Sequence, residues 1–278
     1  MSEHVGIQRL FGVQGQTAIV TGGSGELGKA MAHILAQAGA LVAIVSRRAE
    51  ACQAVAQEIT DNGGQAIGVA CDVTNRASLE EALAQVTTAF GPVDILVNAA
   101  GGNHPQASTS PTQSFFELNP QGVEHVFNLN FNGTLQACQV FGRGMAERGQ
   151  GCIINVASMA ALRPLTRVVS YAAAKAAIVN FTQWLAVHMA QEYGSNIRVN
   201  AIAPGFFLTE QNRFLMTDAQ TGELTPRGQA VIAHTPAGRM GAPEDLQGTL
   251  LWLVSPASAF VTGIVVPIDG GFAAYSGV

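Results

Sequence analysis

Charge is scarce in this chain. Of 278 residues, 14 are Lys or Arg and 19 are Asp or Glu, 12% in all, and the formal net charge is -5. Basic residues form no run, which excludes nucleic acid and anionic membrane surfaces as partners. Long apolar runs are missing too: no stretch approaches the ~18 uninterrupted apolar residues of a membrane span. The opening Met1-Ser2-Glu3-His4-Val5 lacks the basic-then-apolar pattern of a secretion signal, so a cytoplasmic protein is expected. The four cysteines, Cys52, Cys71, Cys138 and Cys152, lie far apart, with no Cys-x-x-Cys pair and no histidine at metal-ligand spacing. They read as small buried hydrophobes in a reducing compartment, and no metal site is expected. Repeats, low-complexity tracts and linkers are absent as well. Residues 1–278 therefore read as one domain, long for a single core but normal for an α/β sheet covered on both faces.

What is abundant is apolar: 48% of residues are hydrophobic and the mean hydropathy is +0.24. Much of that surface is expected to lie in contacts between subunits. Thr17 to Thr21 is a short β-branched strand leading into Gly22-Gly23-Ser24-Gly25-Glu26-Leu27-Gly28, followed by an amphipathic helix from Leu27 to about Ala38. Strand, glycine turn and helix in that order let a backbone approach a pyrophosphate at a helix N-terminus, although a plain βα turn also suits glycine. The unit continues with a strand at Leu41 to Ser46, a helix at Ala49 to Asn62, and strands at Ala66 to Cys71 and Val93 to Asn98. At the end of the second strand an acid would bind the ribose of NAD, whereas arginine accommodates the 2′-phosphate of NADP. Ser46-Arg47-Arg48 stands there, which favours NADP(H) with NAD(H) as the alternative; the two arginines could equally be solvated charge. The loop from Gly102 to Pro120, with Asn103 and His104, exceeds a usual βα connection and is a candidate substrate contact.

The second half reads as a helix from about Gly122 to Gly144, a buried strand from Gly151 to Val156, and a long helix from Ser170 to Tyr193. Asn155-Val156-Ala157-Ser158 ends the strand, and Tyr171 and Lys175 share one face of the helix, one turn apart. A phenol beside an ammonium is expected to titrate below its usual ~10 and to move protons at working pH. Ile197 to Ile202 is a further strand, residues 206–235 have the mixed polarity of a substrate lid, and Pro243 to Val254 is a last helix. Gly263 to Asp269 is a last strand, which Pro267 confines to an edge or an end.

Taken together, these motifs resemble the short-chain dehydrogenase/reductase family. Its Thr-Gly-x-x-x-Gly-x-Gly signature is met by Thr21, Gly22 and Gly28, with Glu26 replacing the middle glycine, and Asn98-Ala99-Ala100-Gly101 is similar to its Asn-Asn-Ala-Gly. Ser158 and the Tyr171-x-x-x-Lys175 pair stand at the family's spacing. The resemblance implies one doubly wound parallel sheet with helices on both faces, and hydride transfer between a carbinol carbon and a nicotinamide. It further implies that Tyr171 is the acid or base, that Ser158 holds the substrate oxygen, that Lys175 lowers the tyrosine and binds the cofactor ribose, and that Asn130 supports proton supply. Implied cofactor contacts are Gly22, Ser24, Gly25, Glu26, Leu27, Ser46, Arg47, Arg48, Asp72, Val73, Asn98, Ala99, Ala100, Tyr171, Lys175, Pro204, Gly205, Phe207 and Thr209, and the implied assembly is a homotetramer.

Longer stretches, including Ala100 to Pro105, Asn180 to His188, Ala203 to Arg213 and Asp269 to Val278, resemble the D-mannonate oxidoreductase (fructuronate reductase) subgroup. A sugar-acid substrate asks for a cation, preferably a guanidinium. Arg167 and Arg213 are the candidates near the site and Arg163 a weaker third, with Asn103, His104, Ser158, Gln211 and Asn212 for the remaining oxygens. A polyol, another sugar acid or a 3-oxoacyl thioester stays open as the substrate, and a catalytically idle nucleotide-binding scaffold is the reading from another class.

Overall fold

In the computed structural model, which describes residues 2–277, the β-branched and aliphatic runs form one parallel sheet. Its strands are β1 (Thr17–Thr21), β2 (Leu41–Ser46), β3 (Gln65–Ala70), β4 (Val93–Asn98), β5 (Gln150–Val156), β6 (Asn196–Pro204) and β7 (Val265–Ile268). They lie in the order β3-β2-β1-β4-β5-β6-β7. Between them run α1 (Ser2–Phe11), α2 (Glu26–Gln37), α3 (Ala49–Asp61), α4 (Arg76–Phe90), α5 (Pro120–Phe127), α6 (Gly133–Phe141), α7 (Arg143–Arg148) and α8 (Val169–Glu192). The C-terminal part adds α9 (Glu210–Met216), α10 (Pro226–Ala233) and α11 (Gln247–Val254). None of the described helices is long and apolar enough to cross a membrane.

The central strands are apolar on both sides because both sides are covered. Ala18, Val20 and Ile44 pack under Met31 and Leu35 of α2, Ile59 of α3 and Leu250 and Leu253 of α11. Ile19, Leu96 and Ile153 face the other way, under Leu79 and Val86 of α4, Phe141 of α6 and Leu185 and Met189 of α8. Chain direction around the sheet reverses between β1 and β4, so the loops after these two strands diverge and leave a crevice at their carboxyl ends. β7 is the edge strand next to β6, the place where Pro267 does least damage to a ladder. Arg198 of β6 is buried, and its guanidinium donates to the carbonyls of Leu253 (2.7 Å), Val254 (3.3 Å) and Ser255 (3.3 Å) at the C-terminus of α11. Those carbonyls have no partner within the helix, and they supply the negative end of its dipole to a buried cation.

Four sequence expectations change. The helix expected from Gly122 to Gly144 is broken: a single π-helical turn, Asn128–Asn132, separates α5 from α6, and α7 follows Gly142. The stretch from Pro243 starts as a tight 3₁₀ turn, Pro243–Leu246, before α11. The loop after β4 folds into short turns at Pro105–Ala107 and Phe115–Glu117, and residues 206–235 contain α9 and α10. Helices α1 and α4 had no counterpart in the sequence reading.

Candidate active site

The turn after β1 is built for close approach. Gly22 has φ +65, and a Cβ there would lie 2.7 Å from the Ala99 carbonyl of the loop after β4. Only glycine fits, so the two loops that flank the crevice touch backbone to backbone. The Thr21 hydroxyl accepts from the amides of Ala99 and Ala100, both at 3.2 Å, and fixes that contact. Gly25 caps α2 without a side-chain bond, which leaves first-turn amides to face an anion. Ser24 and Ser46 join the glycine turn to the end of β2 through their hydroxyls, 2.7 Å apart.

Glu26 does not point its charge at that anion site without a partner. Its Oε2 accepts from the backbone N–H of Glu210 at 2.8 Å, at the first residue of α9. Arg47 and Arg48 are exposed, and neither forms an ion pair among the described residues. Burial pushes the Asp72 carboxyl up, but hydrogen bonds from the Thr74 amide and hydroxyl, with the Arg47 charge, bring it net below its usual range. The cap of α4 is instead Asn75, whose Oδ1 accepts from Ser78 N at 3.2 Å. Val73 is buried against Gly133. A backbone cradle, an uncapped helix N-terminus and free guanidinium groups at the end of β2 fit a nicotinamide dinucleotide.

Beyond β5 the backbone turns at Ser158, whose Oγ accepts from Ala160 N at 3.1 Å. Tyr171 comes up from the first turn of α8 to within hydrogen-bonding reach of Ser158. Lys175 is 4% exposed, and its Nζ donates to the Val156 carbonyl at 2.7 Å and sits 5.8 Å from the centre of the Tyr171 ring. Burial lowers the Lys175 ammonium to about 8. The expected depression of Tyr171 by Lys175 is not found. Burial dominates and raises the phenol, and only the Ser158 hydrogen bond opposes it. The ammonium is directed at Val156, and its own desolvation weakens the charged form that would have stabilised a phenolate.

Asn130 sits in the π-helical turn and is fully buried. Its carboxamide both accepts from Gly102 N (3.2 Å) and donates to Gly102 O (2.7 Å), and it also donates to Val126 O (2.8 Å). A Cβ on Gly101 would stand 2.7 Å from Asn130 Oδ1 and 3.2 Å from Lys175 Nζ. Asn130 thus pins the loop after β4 against the lysine, and a π turn is the kind of irregularity that aims a side chain out of helical register.

Other candidates are placed differently. The Asn98 side chain is buried and donates to Asn155 Oδ1 (2.9 Å) and Cys138 Sγ (3.2 Å), and Asn155 continues to Thr182 at 2.9 Å. Its amide is engaged inside the sheet. Asn103 bonds Ser108 and the His104 amide. His104 Nδ1 accepts from Gln106 N at 3.3 Å, which leaves Nε2–H as its donor. Pro204 ends β6, and Gly205 passes so close to Asp269 that a Cβ would lie 2.7 Å from its Cα. Phe207 is buried beside Gly241, and Thr209 precedes α9. Arg213 is exposed on α9, Arg167 is exposed with φ +75, and the side chains of Gln211 and Asn212 lie outside the described residues. Arg227 of α10 was missed. It lines a cavity of about 460 Å³ together with Arg163 and Phe206, and its Nε is buried with no hydrogen-bond partner. Within its helix it reads as an ordinary first-turn residue after Pro226, so local sequence carries no signal for it.

Residues 16–220 match the short chain dehydrogenase family. An uncharacterized oxidoreductase, UxuB, of Bacillus subtilis (strain 168) is 52% identical over 273 residues, 95% of this chain and 97% of that one. A crystal structure of a candidate D-mannonate oxidoreductase from Haemophilus influenza with bound NAD superposes with a TM-score of 0.90 at 42% identity, covering 96% of this chain and 98% of that one. A D-threitol dehydrogenase of Mycolicibacterium smegmatis is 37% identical over 262 residues, 94% of each chain.

Proposed function

The chain belongs to the short chain dehydrogenase family, an NAD(P)-dependent oxidoreductase acting on CH–OH groups, and from that premise we propose that it interconverts D-fructuronate and D-mannonate. The observation that carries the chemistry is the grouping of Ser158, Tyr171 and buried Lys175 at the carboxyl end of the sheet. The substrate rests on whole-chain similarity to the candidate D-mannonate oxidoreductase. When bound, the nicotinamide supplies or accepts the hydride. In reduction the Tyr171 hydroxyl protonates the carbonyl oxygen, and a phenol held above its ordinary value is in the protonated state this step needs. Ser158 donates a hydrogen bond to the same oxygen as charge develops there. Lys175 supports the cofactor and, at about 8, exchanges protons near working pH. Asn130 acts through Gly101 and Gly102 as a positioning residue.

Gly22, Gly25, Ala99 and Ala100 form the cofactor cradle in this reading, and Arg47 and Arg48 receive the 2′-phosphate of NADP(H), with NAD(H) as the weaker cofactor. Residues 206–235 close over the substrate, and the working form is a cytoplasmic homotetramer. A polyol is the second reading, favoured by the likeness to D-threitol dehydrogenase.

The test is a steady-state assay with D-fructuronate, comparing NADPH with NADH, on wild type and Tyr171→Phe. The expected result is turnover with NADPH preferred and a loss of roughly 10²–10⁴-fold in kcat for the variant, with nucleotide affinity retained. Turnover of D-threitol but not of the sugar acid overturns the substrate. A preference for NADH overturns the role of Arg47 and Arg48. Tyr171→Phe with full activity overturns the chemistry.

A further inference from the structure

The cavity of about 460 Å³ lies at the carboxyl ends of β5, β6 and β7, the same edge of the sheet as Ser158. Its walls come from four separated pieces of chain: Arg163 to Thr166 after β5, Phe206 after β6, Arg227 to His234 on and just after α10, and the tail after β7. The tail is tied down. Arg163 Nε donates to the Ala273 carbonyl at 2.9 Å, His234 packs against the rings of Phe272 (4.8 Å) and Tyr275 (5.0 Å), and Phe206 packs against Phe272 (5.1 Å). The volume suits a small-molecule ligand of about sugar size.

Its charge is one-sided. Arg163 and Arg227 line it, no Asp or Glu does, and none of the ion pairs among the described residues includes either arginine. Arg227 keeps a buried Nε–H without an acceptor, and a desolvated donor of that kind calls for a partner. A second guanidinium is close by. Burial, and then the charge of Arg167, push Arg227 below its ordinary value. Arg167 itself holds the left-handed φ of +75, and its carbonyl is fixed by the Thr109 amide at 3.0 Å. A non-glycine residue in that region beside a like charge is locally strained.

We propose that Arg227, reinforced by Arg167 and Arg163, is the guanidinium clamp for the carboxylate of the substrate. The inference rests on the sugar-acid reading and names the group that recognises the acid. Arg163 lies two residues beyond the 3₁₀ turn that Ser158 caps, so the arm that carries the serine also forms a wall of this cavity. The tail around Phe272 and Tyr275 then acts as part of the substrate pocket.

The experiment measures kcat and KM for D-fructuronate and for neutral D-fructose with NADPH on wild type, Arg227→Met and Arg227→Lys. It also measures competitive inhibition by D-gluconate and NADPH affinity. For Arg227→Met the expected outcome is a KM for fructuronate raised roughly 10- to 100-fold with a small change in kcat, so that the preference of acid over neutral ketose collapses. Arg227→Lys keeps the charge without the fork and recovers part of it, and NADPH affinity is unchanged. An unchanged KM for fructuronate in Arg227→Met, or equal losses on both ketoses, overturns the clamp and leaves the sugar-acid reading standing. If wild type turns over only the neutral ketose, the substrate reading falls. In that case the clamp for a substrate carboxylate falls with it, and weakened gluconate inhibition in Arg227→Met would leave Arg227 only as a site for anions.

Discussion

Lys175 is a charged group kept where solvent would not put it. It is 4% exposed, and burial lowers its pKa from the ordinary 10.5 to about 8. Below about 8 the folded protein therefore bears the cost of a buried charge that the unfolded chain does not. Between about 8 and 10.5 the unfolded chain holds the proton more tightly than the native one, so stability from this group rises with pH. Lys175→Met should accordingly lose at least 100-fold in kcat while melting no lower than wild type at pH 7. A gain on the order of 1–3 kcal/mol is expected, after allowing for the lost bond to Val156. That gain should fade as the pH is taken from about 8 to 10.5. Thermal melts across this range are the measurement, and a variant less stable at pH 7 would contradict the account.

At the scale of elements, the contact between Glu26 and α9 joins the glycine turn to the region expected to cover the substrate. The carboxylate accepts from the first amide of a seven-residue helix, where four amides have no helical partner. Glu26→Ala should loosen α9 by about 1 kcal/mol, which is about fivefold faster amide exchange across residues 210–216 with β1 and β4 unaffected. Unchanged exchange would deny the coupling. Little of this could be read from sequence, because the partner of Glu26 is a backbone N–H 184 residues away. The strands were legible to within a residue or two, since β-branched runs between turn residues have few other uses, and Ser158, Tyr171 and Lys175 were visible from spacing. The π turn left no mark, because Asn128-Leu129-Asn130-Phe131-Asn132 has the same pattern in either helical register. Arg227 was hidden for a related reason: its setting appears only when α10 folds back against the loop after β5. The pKa of Tyr171 was misread because proximity to a lysine was weighed without the burial of both.

Over the whole molecule the sparse charge leaves large apolar side chains in the open. On α8 the outward positions include Val169 at 46%, Trp184 at 57% and Val187 at 57% exposure, and Trp184 stacks on His188 with ring centres 4.7 Å apart. Such a stripe is the face on which the proposed tetramer would place a subunit contact, on the helix that also carries Tyr171 and Lys175. Trp184→Glu combined with Val187→Glu should shift the protein to a smaller species by light scattering, and kcat should fall as α8 loses its support. An unchanged mass would remove this face of α8 from the proposed assembly.

The pairing of β1 with β4 also has a history written into it. The amide partners of Thr21 lie 78 and 79 residues further on, so a nascent chain cannot shape its nucleotide cradle until β4 has left the ribosome. Parallel pairing across such loops is slow to form. The proposed carboxylate pocket waits longer, since Phe272, Ala273 and Tyr275 follow β7. Any ligand that occupied the cradle once β1 and β4 had paired would stabilise the half-made sheet while later strands are still being translated.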